Sequence, residues 1–285
     1  MGTSLVMVRM VWHEEAVKVQ PGGGMRNDEA YKNADYIPGG AEYPARWAAR
    51  AEAFRDARAA RAKLGLTYGP GARNWFDLFL PKGRPEGLCV FIHGGYWLRF
   101  SPRDFSHLAA GPLAAGWAVA MPAYTLAPDA RIGEITSEVA AAVEAAAAKV
   151  AGPIVIAGHS AGGHLAARMA CEGTLPDDLA ERVLRVMPIS PLSDLGPLME
   201  TEMNADLRID AAEALEESPA YLLDRPETDV HVWVGAAERP AFLDQARWLA
   251  EAWGCPVTVE KDRHHFDVIE GLEAADSAML RVLLA

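Results

Sequence analysis

A five-residue segment, Gly-His-Ser-Ala-Gly at positions 158–162, constrains the fold of this chain more than any other feature. An apolar run over residues 154–157 precedes it, and an alanine-rich, helix-like run over residues 163–171 follows it. A strand, a tight turn with serine at its apex and a helix form a nucleophile elbow, which lifts the serine hydroxyl clear of the sheet. The helix also directs backbone N–H groups and its positive dipole end toward the serine. We therefore predict a nucleophile at Ser160; the alternative is an ordinary glycine-rich turn.

A second motif, His-Gly-Gly-Tyr-Trp at residues 93–97, directly follows the apolar run of residues 88–92. Glycines let a backbone approach a substrate closely and turn its N–H groups inward. Acyl transfer needs such donors, because the former carbonyl oxygen becomes negatively charged in the transition state. We expect an oxyanion hole made by the backbone N–H groups of Gly94, Gly95 and Ala161. The ring of His93 has a simpler interpretation, in which it only pins the loop.

The chain order of nucleophile, acid and histidine indicates where the partners of Ser160 should follow. Glu238 stands just past the apolar run of residues 230–234, and His265 stands just before a predicted final helix over residues 268–284. A carboxylate holds the imidazole in one tautomer and stabilises the imidazolium, so both groups must lie at the sheet edge that carries the serine. We predict a catalytic triad of Ser160, Glu238 and His265.

Two assignments in this triad have competitors. His264 competes with its neighbour for the role of base. The rivals for the acid are Asp194, Asp224 and Asp229. Asp194 is the most serious, because it follows the apolar run of residues 183–189 and an acid can occupy that earlier strand end. His164 comes four residues after the serine, and we treat it as structural because a side chain there points along the helix.

Strand-like and helix-like segments alternate along the rest of the chain. Apolar runs predict strands over residues 75–80, 118–121 and 256–260. Longer amphipathic or alanine-rich runs predict helices over residues 41–64, 102–115, 132–150 and 240–253. This alternation is typical of an α/β fold with a mostly parallel central sheet and helices on both faces. In such sheets ligands bind outside the carboxyl ends of the strands, where all three predicted triad residues fall.

The chain is long enough for one α/β domain, which we place over residues 25–285. Residues 1–24 end in a glycine-rich joint and are expected to be an N-terminal extension, with no evident signal-peptide cleavage site and no membrane-spanning run. Residues 191–226 exceed a simple connection and predict a small cap over the site. The alternative for this stretch is a surface excursion that does not contact substrate.

Charge and cysteine content exclude several kinds of partner and cofactor. The net charge of −12 argues against nucleic acid or an anionic membrane as a partner. Three widely spaced cysteines, Cys89, Cys171 and Cys255, predict neither a zinc site nor a disulfide framework. We expect a cytoplasmic protein with no metal and no cofactor, acting on a small molecule, and we leave a homodimer open.

Four segments together resemble one known family. They are residues 93–97, residues 158–164, the Glu-Arg-Pro-Ala-Phe segment at 238–242 and the His-Phe pair at 265–266. These segments are similar to the signature of kynurenine formamidases (arylformamidases) of the α/β-hydrolase fold, and the resemblance spans roughly residues 30–284. One departure is that the acid in this family is usually Asp, whereas this chain has Glu238.

The resemblance implies a serine hydrolase that cleaves an aryl formamide such as N-formylkynurenine through an acyl-serine. Residues expected to contact the substrate are Tyr31, Asn33, Tyr96 and Trp97, although core packing explains Trp97 equally well. One alternative is a carboxylesterase acting on small acyl esters with the same triad. Another is a non-catalytic ligand-binding homologue, but such proteins usually lose a triad member, and all three are present here.

Overall fold

The computed structural model describes residues 26–224 and 228–285, so the extension predicted over residues 1–24 lies outside the described residues. Nine strands form one sheet within these ranges: β1 (Ala62–Thr67), β2 (Trp75–Phe79), β3 (Leu88–Ile92), β4 (Ala118–Pro122), β5 (Ile154–His159), β6 (Val183–Ile189), β7 (Asp229–Val230), β8 (Val232–Gly235) and β9 (Val257–Glu260). Their order is β1-β2-β4-β3-β5-β6-β8-β9, with β7 beside β6. Only β2 runs antiparallel to its neighbours, so the sheet from β4 to β9 is parallel.

Ten α-helices occur in the described residues: α1 (Arg26–Tyr31), α2 (Tyr43–Arg58), α3 (Ala110–Ala114), α4 (Ile132–Ala147), α5 (Ala161–Ala170), α6 (Asp177–Ala180), α7 (Asn204–Leu207), α8 (Ala211–Glu217), α9 (Pro240–Trp253) and α10 (Ala278–Leu283). They cover both faces of the sheet. Alternate residues of β3 show this: Val90 belongs to the buried cluster beneath α4 and α5, whereas Phe91 belongs to the cluster beneath α2 and α3. The predicted α/β architecture, a mostly parallel sheet between two helical layers, is confirmed.

Several predicted elements have different bounds. The helix predicted over residues 41–64 is wrong beyond Arg58, because Ala62 already pairs with Phe79 and begins β1. That pairing is an antiparallel hairpin with the next strand, and strand pairing overrides the helix propensity of residues 59–64. The single helix predicted over residues 268–284 is a 3₁₀ helix (Val268–Glu273) followed by α10, which begins at a serine cap.

The segment predicted as a cap over residues 191–226 contains short helices as far as it is described. Its helix α8 packs on α4 through Thr136 Oγ1, which donates to Glu217 Oε2 at 2.7 Å. A 3₁₀ helix (Gly196–Glu200) contacts α1, where Asn27 Nδ2 donates to Pro197 O at 2.9 Å. Residues 191–224 contribute nothing to the lining of the pocket described below.

Candidate active site

Ser160 occupies a strained turn between β5 and α5. Its φ of 58° and ψ of −118° lie in a region that a residue with a side chain rarely adopts, at a typical cost of about 1–3 kcal/mol. Ser160 N donates to Ile189 O of the neighbouring strand at 2.9 Å, and Ser160 O accepts from His164 N at 3.0 Å. The turn is therefore held from both sides, and its backbone is that of the predicted elbow.

Two glycines of the motif are required by close backbone contacts. A Cβ on Gly158 would lie 2.0 Å from Gly162 O, across the turn itself. A Cβ on Gly162 would lie 2.1 Å from Ile92 O, at the end of β3. Both distances are far below van der Waals contact, so only glycine lets α5 begin this close to β3 and β5.

The loop after β3 runs directly against the elbow. A Cβ on Gly94 would lie 2.6 Å from His159 O and 3.1 Å from Ser160 Cβ. Gly95, Tyr96 and Trp97 have φ values of 117°, 56° and 57° in succession. Gly95 adopts positive φ without strain, but Tyr96 and Trp97 carry side chains and are strained there, so the loop keeps this shape only if its surroundings hold it.

Two aromatic side chains hold the loop. Tyr96 Oη donates to Tyr31 O at 2.6 Å and accepts from Asn33 Nδ2 at 2.9 Å, which ties the loop to the segment after α1. On the other side, Tyr124 Oη donates to His93 O at 2.8 Å, and its ring stacks on the imidazole at 4.4 Å.

The imidazole of His93 has a structural position. Burial lowers the pKa of His93 to about 3, so the ring is neutral. Its Nδ1–H donates to Gly94 O at 2.8 Å. The interpretation in which this ring only pins the glycine loop therefore matches the geometry.

Glu238 and His265 form a buried, fully oriented pair. His265 Nδ1 lies 2.6 Å from Glu238 Oε2, and the other carboxylate oxygen accepts from Ser190 Oγ at 2.5 Å and from Gly235 N at 2.8 Å. Because the carboxylate accepts at Nδ1, the proton of the neutral ring resides there and Nε2 keeps its lone pair. The arrangement leaves a base whose free nitrogen can accept a proton.

The ring of His265 also contacts the residue that precedes the serine. Its centroid lies 4.6 Å from that of His159 and 4.2 Å from that of Phe242. Burial, followed by the neighbouring His265, lowers the pKa of His159 well below its usual value, so His159 is neutral and does not compete as a base. The elbow, the acid and the base thus meet at the carboxyl ends of β5 and β8.

The competing assignments have other partners. His264 Nε2 lies 3.2 Å from Tyr43 Oη, and His264 Nδ1 accepts from two backbone N–H groups. Asp194 accepts from Tyr221 Oη at 2.7 Å and from Gly196 N at 2.8 Å. Asp229 pairs with Arg185, and Asp224 forms a strand bridge to Cys171. Of these groups, the structure pairs Glu238 with His265.

A cavity of about 220 Å³ opens at this pair. Its lining includes Asn33, Tyr36, Ile37, Glu238, Arg239 and His265. Of the four residues expected to contact substrate, only Asn33 lines it. Tyr96 instead holds the glycine loop to the segment after α1, through its hydrogen bonds to Tyr31 and Asn33.

The other two expected contacts lie in the core. Tyr31 accepts from Gln245 Nε2 at 2.9 Å, and burial raises its pKa to about 12. Trp97 is fully buried and packs edge-on against His164, with ring centroids 5.2 Å apart.

Sequence reasoning did not single out Ser190, Phe242 or Arg239. Ser190 could have been found, because it is the first residue after the apolar run that forms β6, at the edge where site residues gather. Arg239 and Phe242 belong to the segment that carries the family resemblance, and the predicted helix start at residue 240 already places them beside Glu238, but the sequence assigns neither of them a role.

The described residues hold no group of three or more His, Cys, Asp and Glu side chains arranged to bind a metal ion. The three cysteines are free thiols. Among residues 26–224 and 228–285, no helix is long and apolar enough to cross a membrane.

The chain belongs to the α/β-hydrolase fold family, whose model matches residues 89–233. Its enzyme class is therefore that of the α/β-hydrolases. More particularly, the chain is kynurenine formamidase-like. It is 27% identical to the kynurenine formamidase of Salmo salar over 79% of this chain and 82% of that one. It is 29% identical to the kynurenine formamidase of Drosophila melanogaster over 76% and 79% of the two chains.

Solved structures give the same fold. A crystal structure described as that of a candidate thioesterase from Silicibacter sp. tm1040 is 54% identical, with a TM-score of 0.90, over 92% of this chain and 100% of that one. An esterase of Pyrobaculum calidifontis is 18% identical, with a TM-score of 0.64, over 85% and 93% of the two chains. The second likeness concerns the fold alone.

Proposed function

We propose that this α/β-hydrolase is a serine hydrolase that cleaves a small aryl formamide such as N-formylkynurenine. The observation that carries the proposal is the hydrogen-bonded pair of Glu238 and His265, whose imidazole packs on the residue next to Ser160. Kinship with proteins named kynurenine formamidase supports the choice of substrate.

In the first step, Ser160 Oγ attacks the formyl carbon and its proton passes to His265 Nε2. The electron pair of the carbonyl double bond moves to oxygen, and the backbone N–H groups of Gly94, Gly95 and Ala161 stabilise the resulting oxyanion. Glu238 stabilises the imidazolium that forms beside it. When the tetrahedral adduct collapses, the C–N bond breaks, and the arylamine leaves with the proton from His265.

In the second step, water attacks the formyl-serine ester, again giving up a proton to His265 Nε2. Collapse of this adduct breaks the bond from carbon to Ser160 Oγ, which regains the proton. Formic acid leaves and ionises to formate. One water is consumed, and one amine and one formate are produced.

Glu238 suits the acid role despite its extra methylene. Its backbone N donates to Gly235 O at 3.2 Å, which folds the segment into a tight turn after β8. The bonds from Ser190 Oγ and Gly235 N then fix the first carboxylate oxygen and leave the second aimed at His265. Three hydrogen bonds therefore hold the carboxylate of this longer side chain against His265.

A second candidate, thioester hydrolysis, is favoured by the 54% identical structure described as a candidate thioesterase. Thioesters, esters and formamides would share the acyl-serine chemistry and differ in the leaving group. The choice therefore depends on a comparison of leaving groups under one set of conditions.

A substrate panel tests the proposal. N-formylkynurenine, 4-nitrophenyl acetate and a short acyl-coenzyme A thioester are compared by kcat/KM, with formate, nitrophenolate and thiol as readouts. We expect formamide cleavage with a kcat/KM of about 10⁴ M⁻¹s⁻¹ or more, which is ordinary for a physiological substrate. The Ser160→Ala variant controls for contaminating hydrolases. Ester or thioester turnover without formate release would overturn the formamidase proposal.

A further inference from the structure

The mouth of the pocket carries an arginine without an acidic partner. Arg239 lies at the N-terminal cap of α9 and lines the same cavity as Glu238 and His265. Its guanidinium makes one hydrogen bond among the described residues, from Nη2 to Glu29 O at 3.1 Å. No carboxylate of residues 26–224 or 228–285 lies within ion-pair distance of it, and its Nε–H is buried without an acceptor.

The acidic side chains near Arg239 are committed to other groups. The Glu29 carboxylate pairs with Lys32 Nζ at 2.7 Å and accepts from Tyr36 Oη at 2.7 Å. Glu238 is held by His265 and two further donors. Hydrogen bonds from Lys32 and Tyr36 lower the pKa of Glu29, and Arg239 contributes only after them, so the Arg239 guanidinium has no close carboxylate of its own among the described residues.

The guanidinium is also held in place. It stacks on the ring of Tyr36, with Cζ 3.7 Å from the ring centroid. This contact covers one face of the guanidinium and leaves its N–H groups to donate in the plane of the group. Arginine edges match carboxylates as paired donors. The N-terminus of α9, a helix of 14 residues, adds positive potential at the same place.

A second unpaired group points to a polar ligand. Asn33 lines the cavity, and its Oδ1 is buried with no donor within hydrogen-bond distance. The amide cannot flip to satisfy this atom, because Nδ2 donates to Tyr96 Oη, whose own proton is given to Tyr31 O. Two buried polar atoms of pocket-lining residues, Arg239 Nε and Asn33 Oδ1, are therefore left without partners from the described residues.

We infer that Arg239 is a specificity residue that pairs with a carboxylate of the substrate, while Asn33 Oδ1 accepts from an N–H group of the same molecule. The inference rests on the proposed function and narrows it to aryl formamides that carry a carboxylate away from the scissile bond. Neutral formamides of the same size bind without this pair and are the poorer substrates.

The test uses two formamides that differ at one group, N-formylkynurenine and its α-carboxamide. For the unaltered enzyme, kcat/KM should favour the carboxylate by about 10- to 100-fold, the usual effect of a charge-assisted bond in a partly buried site. In Arg239→Gln this preference should fall to within about threefold of unity, and Arg239→Lys should retain part of it. Arg247→Gln, an exposed charge change on the same helix, should keep the full preference.

The other outcomes separate a failure of the carboxylate contact from a failure of the proposed function. If both formamides are cleaved and the preference is already near unity in the unaltered enzyme, or survives in Arg239→Gln, the carboxylate contact is wrong while the formamidase proposal stands. If neither formamide is cleaved, the proposed function is wrong. The carboxylate contact is then tested separately, by inhibition of 4-nitrophenyl acetate turnover. Kynurenine should inhibit at least about tenfold better than its carboxamide, and only with Arg239 present; equal inhibition overturns the inference.

Discussion

Two buried clusters in this molecule combine a histidine with a glutamate, and they have opposite characters. In the site, Glu238 Oε2 accepts a hydrogen bond from His265 Nδ1–H at 2.6 Å. In the core between α4, α5 and α8, the Glu217 carboxylate is taken by Arg168 at 3.0 Å, and His164 reaches only the backbone oxygen of Glu217, at 2.7 Å.

The difference supports the choice of the first pair, and not the second, as the proposed catalytic one. A carboxylate neutralised by arginine has little left with which to stabilise an imidazolium. His164 is also enclosed, with the Trp97 ring against it, whereas His265 lines a cavity. Burial lowers the pKa of His164 to about 4, so that ring stays neutral at neutral pH. Both clusters contain the same residue types. They differ in which group the carboxylate binds and in whether the imidazole lines a cavity.

Replacing the two histidines should give the largest contrast. We expect His265→Gln to lower kcat/KM by about 10⁴- to 10⁶-fold, because the base is lost and the triad acts as a unit. His164→Gln should stay within about tenfold of the unaltered enzyme, since this side chain contacts no reacting atom. Steady-state rates on a reactive ester measure both. A large loss in a folded His164→Gln protein would contradict the division between the clusters.

Replacing the two glutamates should affect different properties: one variant should lose activity and the other should lose stability. Glu238→Gln should cost about 10³- to 10⁴-fold in kcat, because the amide no longer fixes the productive tautomer. Glu217→Gln should leave kcat within a few fold but lower the free energy of unfolding by about 3 kcal/mol, since Arg168 is then left buried without its partner. Urea titrations and initial rates on both variants check this. Equal losses of activity would show that the core cluster is coupled to the chemistry.

The neutral core histidine also predicts how stability changes with pH. The pKa of His164 is about 4 in the folded protein and about 6.5 in an unfolded chain. Between these values the unfolded chain binds more protons, so stability falls as pH drops from 6.5 toward 4. At pH 5 the expected loss from this one group is about 2 kcal/mol relative to pH 7.5. Urea midpoints at both pH values should differ less in His164→Gln, and an unchanged difference would contradict the assignment.

Ser190 should give a smaller effect within the site. Its Oγ donates to Glu238 Oε1 at 2.5 Å, so Ser190→Ala removes one of the bonds that orient the carboxylate. We expect kcat to fall about tenfold while KM changes little, because the loss concerns the orientation of the base and not substrate contacts. Ser193→Ala, in the same loop but bonded to Gln245, is the matched control for kcat. A rise in KM without a fall in kcat would show that Ser190 acts on binding.

The site elements that the sequence singled out share a local origin. The elbow, the glycine loop after β3 and the acid after β8 each follow a strand in a recognisable pattern, and chain order relates them. The sequence already favours His265 over His264 and Glu238 over Asp194, and the structure adds that Glu238 and His265 are hydrogen-bonded to each other.

What the sequence could not predict depends on how segments pair and pack against one another. β1 forms because residues after α2 pair with β2, and the final helix breaks at residues 274–277 before the cap of α10. The family resemblance places Tyr31 and Trp97 at the site, yet packing draws both into the core. Arg239 becomes noticeable only when its lack of an acidic partner can be seen.

Covalent labelling of the serine tests the central claim most directly. A fluorophosphonate is incubated with the folded protein, and the modified peptide is identified by mass spectrometry. The label should appear on Ser160 alone, be absent in Ser160→Ala, form far more slowly in His265→Gln and form at the normal rate in His164→Gln. A folded protein that remains unlabelled at Ser160, or is labelled equally fast without His265, would contradict the proposed nucleophile and base.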